Sequence, residues 1–318
     1  MKIHGVDHVH IFQPDLEKAA DFYSYIMGCR FIDTIDHNQA YIKVTFSDNG
    51  LEIVEPYGPN KFEIPELMEK YGPGIGTVGF KVPEIESAIA EMEDKGVELI
   101  SRSSYSWRPP GEVDIKACAF RPESLRGLPV EFVEFQEMTP ISIAALNWIQ
   151  RRSWKHDKSK PQAFFAERIN HLNLYQKDLE AAARFYSNLF EMKWVGPFEK
   201  PDLKLRVAYS DVGINIYQPM GDDPFGVSAL IEKRGEGVGS LGFKVPDLEA
   251  AISELESKGV RLLGRGEYAD NPEVDLRVAA FDPDSCFGLP LELVEFQQTT
   301  PVAVANLTWI QEMPWMDI

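Results

Sequence analysis

Residues 75–100 read IGTVGFKVPEIESAIAEMEDKGVELI, and residues 238–263 read VGSLGFKVPDLEAAISELESKGVRLL. The two segments share 15 identities in 26 positions, and most of the differences are conservative. Self-similarity of this length at a fixed offset indicates duplicated folding units rather than a short local motif. The fold therefore has to be explained as a repeat.

The repeat extends outward from this segment in both directions. The same offset aligns DHVHIFQPDLEKAADFYSYIMG (7–28) with NHLNLYQKDLEAAARFYSNLFE (170–191). A slightly shorter offset aligns GLPVEFVEFQ (127–136) with GLPLELVEFQ (288–297), and the tails that follow also match. The duplication predicts two homologous domains, 1–155 and 165–318, joined by a polar linker at 156–164.

Each domain is predicted to divide again into two modules of one strand, one helix and three strands. In the first helix, Leu16, Ala19, Ala20, Tyr23 and Met27 fall on one face, as an amphipathic helix requires. The pattern predicts an α+β fold with four βαβββ modules, which form two curved mixed sheets that each enclose a cleft. The predicted modules are 1–60, 74–137, 165–222 and 236–298.

Composition narrows the classes of partner. The chain has 318 residues and a formal net charge of −18, which disfavours binding to nucleic acid or to an anionic membrane surface. The N-terminus does not resemble a signal peptide, and no apolar run approaches the ~20 residues of a membrane span. The cysteines form no CxxC pair: Cys29, Cys118 and Cys286. We expect a reduced, cytoplasmic protein that acts on a small molecule, and a homodimer is compatible with the sequence.

These segments, together with LEIVEP (51–56), resemble the vicinal-oxygen-chelate superfamily, which includes glyoxalases, bleomycin-resistance proteins, epimerases and extradiol dioxygenases. The segments that precede the last strand of each domain, AFRPESLRGLPVEFVEF and AFDPDSCFGLPLELVEF, are most similar to the epimerase branch. The resemblance covers about four fifths of the chain and leaves out the tails of the two domains. It implies a tandem pair of glyoxalase-like domains with one metal-binding cleft in each.

The resemblance also implies a set of metal ligands on the first, fourth, fifth and eighth strands. In the first domain these are His8, Glu52 and Glu131, and the fifth-strand position, where relatives carry a histidine, is Thr77. The second domain offers a weaker set: His171, Asn215, Ser240 and Glu292. The implied cofactor is one divalent ion in the first domain (Mn, Mg, Fe or Zn), and a metal-free cleft stays open as the alternative.

Other residues complete the candidate site. His10 lies two residues after His8 on a strand, so both side chains are predicted to face the cleft, where His10 either takes a catalytic role or replaces the missing imidazole. Repulsion between Glu52 and Glu131 is expected to raise the pKa of one carboxyl group and make it a base. Further substrate-binding candidates are Thr77, Lys43, Trp107 and Arg108, with Arg206 in the second domain, while the tail residues Trp148, Trp154, Trp309 and Trp315 are expected to anchor the tails.

Three hypotheses for function follow. The first is proton transfer next to a carbonyl group, as in isomerases, epimerases and lyases, with Glu131 as base or ligand and Glu52 and His10 as further catalytic residues. The second is an extradiol ring-cleaving dioxygenase, which needs His10 to complete the iron site. The third is a metal-free binding or resistance protein.

Overall fold

A computed structural model of the chain describes residues 1–38, 40–59, 62–106, 114–135, 147–156, 166–268, 276–296, 304 and 307–318. The chain forms two compact units. One contains Met1, Ile3–Tyr25 and Cys29–Lys160, and the other contains Lys2, Ile26–Gly28 and Pro161–Ile318. Among the residues so described, no helix has the length and apolar character needed to cross a membrane.

The first unit is built around one eight-stranded mixed sheet with the order β2-β3-β4-β1-β5-β8-β7-β6. β1 pairs in parallel with β4 and antiparallel with β5, so the two βαβββ modules join through their first strands. The strands are β1 (His8–Phe12), β2 (Ile35–His37), β3 (Ile42–Phe46), β4 (Leu51–Pro56), β5 (Gly74–Lys81), β6 (Leu99–Ser106), β7 (Asp114–Phe120) and β8 (Val130–Glu134). The helices are α1 (Leu16–Met27), α2 (Ile64–Tyr71), α3 (Ile85–Asp94) and α4 (Asn147–Gln150).

The second unit repeats this topology with the order β10-β11-β12-β9-β13-β16-β15-β14. Its strands are β9 (Ile169–Tyr175), β10 (Trp194–Lys200), β11 (Leu205–Ser210), β12 (Ile214–Pro219), β13 (Gly237–Lys244), β14 (Leu262–Tyr268), β15 (Leu276–Phe281) and β16 (Leu291–Phe296). Its helices are α5 (Leu179–Phe190), α6 (Val227–Arg234), α7 (Leu248–Ser257) and α8 (Thr308–Glu312). The predicted α+β class, the four modules and the two curved mixed sheets are confirmed.

Each module holds the start of its helix with a side chain from its own last strand. The Oε2 atom of Glu55 accepts a hydrogen bond from the backbone N–H of Leu16 at 2.9 Å, and Glu134 does the same for Ile85 at 2.9 Å. In the second unit the acceptors are Gln218, for Leu179 at 3.3 Å, and Glu295, for Leu248 at 2.6 Å. An acceptor here satisfies a helix N–H that has no partner within the helix. These side chains therefore lie on the outer face of each sheet, beside the helices.

The described parts of the tails pack against the sheet of their own unit. Trp154 forms a β-bridge with Ile32, and the guanidinium of Arg30 lies 4.5 Å from the centre of the Trp154 ring. Trp315 forms the equivalent bridge with Val195, and Trp309 is buried in the aromatic core of the second unit. The expected anchoring is confirmed for these tryptophans, whereas the side chain of Trp148 lies outside the described part of the chain.

Candidate functional site

The concave face of the first sheet encloses a cleft with an empty volume of about 940 Å³, counted out to open solvent. Most of the lining side chains are apolar. Of the polar ones, His37, Ser101, Ser103 and Cys118 lie on β2, β6 and β7, and five others gather where β1, β4, β5 and β8 meet. We call this polar group the floor of the cleft. It consists of His8, His10, Glu52, Thr77 and Glu131.

His8 is held from behind by its neighbour in sequence. Its Nδ1 atom lies 2.9 Å from Oδ2 of Asp7, and Oδ1 of Asp7 lies 3.4 Å from Nζ of Lys81. Opposite the ring stands Gly79, where a Cβ atom would come within 2.2 Å of His8 Cε1, so no larger residue fits at this position. An ionised Asp7 requires the proton of a neutral His8 to sit on Nδ1, which leaves the lone pair of Nε2 in the cleft.

His10 lies beside His8, as the two-residue spacing on a strand predicts. The two ring centres are 5.0 Å apart. Nδ1 of His10 lies 2.9 Å from Oε2 of Glu131 and 2.7 Å from Oγ1 of Thr77, and Nε2 lies 3.2 Å from Oε1 of Glu52. The Thr77 hydroxyl donates to the same Oε2 of Glu131 at 3.0 Å. Two acceptors on the Nδ1 side therefore turn Nε2 of His10 toward Glu52.

The carboxylate of Glu52 is where the two imidazoles converge. Its Oε2 lies 3.9 Å from Nε2 of His8 and is a buried oxygen without a hydrogen-bond partner. One ligand atom from each of His8, His10 and Glu52 can be chosen so that all three lie within 4.8 Å of one another. Two ligand atoms that each lie about 2.1 Å from one divalent ion are at most about 4.2 Å apart, so the three side chains would close slightly around an ion. The unpartnered oxygen faces Nε2 of His8, and Nε2 of His10 lies beside the other oxygen of the same carboxylate, an arrangement that fits a divalent metal ion.

The charges on the floor compensate one another without a metal. Burial opposes the charged form of His10, but the adjacent Glu131 and Glu52 outweigh it and raise the pKa of His10 well above 6.5. Burial likewise opposes ionisation of Glu131, but the charge and hydrogen bond of His10 hold the pKa of Glu131 below its usual 4.5. The expectation that repulsion raises a carboxyl pKa is therefore wrong for Glu131, because His10 stands between the two acids.

Several predicted residues do not reach the cleft. Lys43 alternates with the inward Ile42 and Val44, and its Nζ atom pairs with Oε1 of Glu55 at 2.8 Å on the outer face. The expected contact of Lys43 with a ligand is thus wrong, because the pleat of β3 turns it outward. Arg206 is equally turned away, and its guanidinium bonds to Glu180 and Gln218. Trp107 and Arg108 lie outside the described residues.

The sequence reading missed four residues around the floor. Asp7 and Lys81 form the chain of contacts behind His8, and His37 and Cys118 line the cleft. Burial lowers the pKa of His37, so that its ring stays neutral, and raises the pKa of the Cys118 thiol to about 12. Asp7 directly precedes β1, and a carboxylate beside the second ring nitrogen is a usual partner of a metal-binding imidazole.

The second unit builds a different arrangement from the same positions. Nε2 of His171 lies 2.9 Å from Oε1 of Glu292, and the other carboxylate oxygen accepts from Asn173 at 3.0 Å and from Ser240 at 3.3 Å. The amide of Asn215 donates to Asn173 at 3.1 Å. Here Asn173 replaces His10 and Asn215 replaces Glu52, so Glu292 has hydrogen-bond donors for both oxygens. The predicted ligands come together in a hydrogen-bonded network centred on Glu292, in which Oδ1 of Asn215 is buried without a partner.

Comparison with known protein families assigns the chain to a superfamily. The family described as the Glyoxalase/Bleomycin resistance protein/Dioxygenase superfamily matches residues 7–118 and 170–279, which together exceed half of the sequence. The chain belongs to this superfamily. One matched region lies in each of the two eight-stranded units, so the superfamily domain occurs in tandem. The resemblance stated from the sequence is therefore confirmed.

Curated relatives within the superfamily differ in the reaction that they catalyse. An ethylmalonyl-CoA/methylmalonyl-CoA epimerase from Cereibacter sphaeroides is 31% identical over 104 residues, 31% of this chain and 77% of the relative. The human mitochondrial methylmalonyl-CoA epimerase is 26% identical over 99 residues, and the match covers 30% of this chain and 56% of that protein. A lactoylglutathione lyase from Schizosaccharomyces pombe is 25% identical over 297 residues, 82% of this chain and 88% of the relative.

Solved structures of superfamily proteins share the fold. A triple mutant of 4-hydroxymandelate synthase from Streptomyces coelicolor has a TM-score of 0.63 at 14% identity, and the match covers 96% of each chain. A Mn(II)-bound glyoxalase from Novosphingobium aromaticivorans has a TM-score of 0.55 at 12% identity, over 92% of this chain and 82% of that one. At these identities the similarity concerns the fold alone.

Proposed function

We propose that the chain is an enzyme of the glyoxalase/dioxygenase superfamily whose first cleft uses one divalent metal ion to move a proton next to a carbonyl group of a small molecule. The observation that carries this proposal is the convergence of His8, His10 and Glu52, with an unpartnered oxygen of Glu52 facing Nε2 of His8. Nitrogen and carboxylate donors together suit Mn, Fe or Zn better than an all-oxygen ion such as Mg.

In this proposal His8, His10 and Glu52 would hold the ion, which would supply a Lewis acid for a carbonyl oxygen of the substrate. Asp7 fixes His8 with its Nε2 lone pair in the cleft. Glu131 accepts from Thr77 and from Nδ1 of His10, so its carboxylate stays on the floor in a set orientation. The pKa of Glu131 is held below its usual 4.5, so its carboxylate is ionised and able to accept a proton from the substrate.

The choice of proton transfer as the reaction class is supported by Glu131, a carboxylate that the floor contains in addition to the three proposed metal ligands. The three ligands leave Glu131 without a necessary role in holding the ion, and a buried carboxylate beside the substrate position is a suitable general base. The epimerase and lyase relatives are consistent with this class. Metal analysis of protein purified without chelators tests the proposal, and about one ion per chain is expected. A content near zero after incubation with Mn(II), Fe(II) or Zn(II) would favour the metal-free binding protein.

Exchange of a carbon-bound proton tests the chemistry directly. In D₂O, the metal-loaded protein is incubated with branched acyl thioesters and α-hydroxyketones, and loss of the α-proton signal is followed by NMR. Exchange that needs both the metal and Glu131 supports the proposal. Exchange that persists unchanged in Glu131→Gln removes Glu131 from the role of base.

A second candidate function is a ring-cleaving dioxygenase. The specific observation in its favour is that His8, His10 and Glu52 form a two-histidine, one-carboxylate set, which is the ligand set of many non-haem Fe(II) oxygenases. The protein is loaded with Fe(II) without oxygen and is then given catechol and air. A yellow ring-fission product would favour this candidate over proton transfer.

A further inference from the structure

The walls of the first cleft carry no positive charge in the described part of the chain. Among the described residues that line the cleft there is no lysine or arginine, and the acids are both on the floor. Above the floor most of the lining side chains are apolar, among them Phe12, Phe46, Phe62, Ile64 and Ile115. The polar ones there are His37, Ser101, Ser103 and Cys118. A molecule in this cleft therefore meets the acidic groups at one end and mostly apolar side chains along the rest of its length.

Comparison with the second unit shows which smaller residues open the apolar part of the first cleft. β4 and β12 occupy the same place in the two sheets. Val54 on β4 pairs with Phe12 on β1, and at the equivalent positions of the second sheet Tyr217 on β12 pairs with Tyr175 on β9. The rings of Tyr175 and Tyr217 are 6.2 Å apart, and both side chains are buried in the aromatic core on the concave face. A valine in place of a tyrosine leaves most of a ring volume open at this position in the first unit.

β7 gives a second difference of the same kind. Ala117 pairs with Val133 in the first sheet, and Val278 pairs with Val294 at the equivalent position of the second sheet. Val54 and Ala117 both line the cleft, while Tyr217 and Val278 are both members of the buried core of the second unit. The same fold thus carries smaller residues on the concave side of the first sheet.

We propose that the first cleft takes an uncharged, mainly apolar molecule whose oxygen atoms are grouped at one end, with Val54 and Ala117 determining the size of the apolar body. The inference rests on the proposed function only for the oxygen end, which faces the metal ligands. An apolar body gains from leaving water, whereas a charged group along these walls would lose its hydration without finding a partner.

Straight-chain hydroxamic acids from acetohydroxamate to octanohydroxamate keep the oxygen end of the ligand constant and vary only the length of its apolar body. The series therefore measures what the apolar body contributes to affinity. Binding to Mn(II)-loaded protein is followed by calorimetry. We expect the affinity to rise about fourfold per buried methylene, the equivalent of ~0.8 kcal/mol, until the cleft is filled. Octanohydroxamate with a terminal carboxylate is expected to bind at least tenfold more weakly than the uncharged chain. An affinity that is independent of chain length, or equal for the charged tail, would overturn the inference.

Variants that copy the second unit test the assigned residues. Val54→Tyr is expected to abolish the dependence of affinity on chain length, and Ala117→Val to weaken the longest chain selectively by about tenfold. Circular dichroism shows whether Val54→Tyr folds. If it does not fold, the smaller change Ala117→Val still tests the proposal. A chain-length dependence that survives unchanged in Ala117→Val and in folded Val54→Tyr would contradict their role.

The matching straight-chain carboxamides, which lack the chelating N-hydroxyl group, separate this inference from the proposed function. Should the proposed metal function fail, hydroxamates and carboxamides would bind alike with and without Mn(II), and the chain-length dependence would still support the apolar cleft. Should the apolar cleft be wrong, Mn(II) would strengthen acetohydroxamate binding but longer chains would add nothing.

Discussion

Oδ2 of Asp7 lies 2.9 Å from Nδ1 of His8, and Oδ1 of Asn170 lies at the same distance from Nδ1 of His171 in the second unit. The two copies therefore hold their first-strand imidazole with the same geometry but with a different acceptor. A carboxylate behind a metal-binding imidazole makes the opposite nitrogen a better ligand than a neutral amide does. The charged acceptor belongs to the unit in which His8 faces the unpartnered oxygen of Glu52.

Asp7→Asn makes the first unit like the second at this position, and the amide oxygen still accepts from Nδ1. We expect the affinity for Mn(II) or Zn(II) to fall about 10-fold to 100-fold while the fold is retained. Competition with a fluorescent chelator measures this affinity. The matched control is Asn170→Asp, which should leave the affinity of the first unit unchanged. Equal affinities for Asp7→Asn and the wild type would show that the acceptor behind His8 does not tune metal binding.

Glu131→Gln keeps the shape of the floor but removes the proposed base. We expect turnover, once a substrate is found, to fall by about 10²-fold to 10⁴-fold, because general-base catalysis contributes a factor of this order. His8→Ala is expected to abolish turnover through loss of metal. Rates of proton exchange and metal content, measured on the same samples, distinguish these two causes.

Glu134→Gln is the control for Glu131→Gln, because the two residues lie on opposite faces of β8. Glu134 pairs with Lys116 and accepts from the backbone N–H of Ile85, outside the cleft. We expect its turnover to stay within about twofold of the wild type, with a stability loss of at most ~1 kcal/mol from the weakened helix cap. The assignment of Glu131 would be refuted by equal activities of the two variants.

The fold was predictable because its information is local and repeated. The apolar face of α1 and the recurrence of strand, helix and three strands gave the modules, and the period of two on β1 gave the common orientation of His8 and His10. The opposite orientations of Glu131 and Glu134 follow from the same period, and the structure agrees. Patterns along one strand thus predicted which side chains face the cleft.

Contacts between strands were harder to predict. The position of Lys43 depends on how the pleat of β3 is set by its neighbours, and its partner Glu55 is fixed at the same time by the start of α1. The charge state of Glu131 depends on His10, which is 121 residues away in sequence, and on the hydroxyl of Thr77. A pairwise repulsion argument between two acids could not include an imidazole placed between them.

The network around Glu292 leads to a prediction for the second unit. His171→Ala removes the hydrogen-bond partner of Oε1 of Glu292. A buried oxygen without a partner is expected to lower the free energy of unfolding by about 1–3 kcal/mol. Urea denaturation measures this loss. We expect the metal content per chain to stay unchanged, whereas His8→Ala is expected to lower it toward zero. A drop of metal content in His171→Ala would show that the second unit also holds an ion.

The pairing of His10 with Glu131 and Glu52 gives the metal-free protein a specific dependence of stability on pH. The pKa of His10 is raised well above 6.5 in the folded state, so its protonation stabilises the fold fully below about pH 6.5. This contribution is lost as the pH rises through the folded-state pKa, since the folded protein then gives up the proton that the unfolded chain has already lost. Free energies of unfolding measured in urea with a chelator present, from pH 7 to pH 9, should therefore decline more steeply for the wild type than for His10→Gln. Parallel slopes for the two proteins would mean that His10 is not protonated between the two carboxylates.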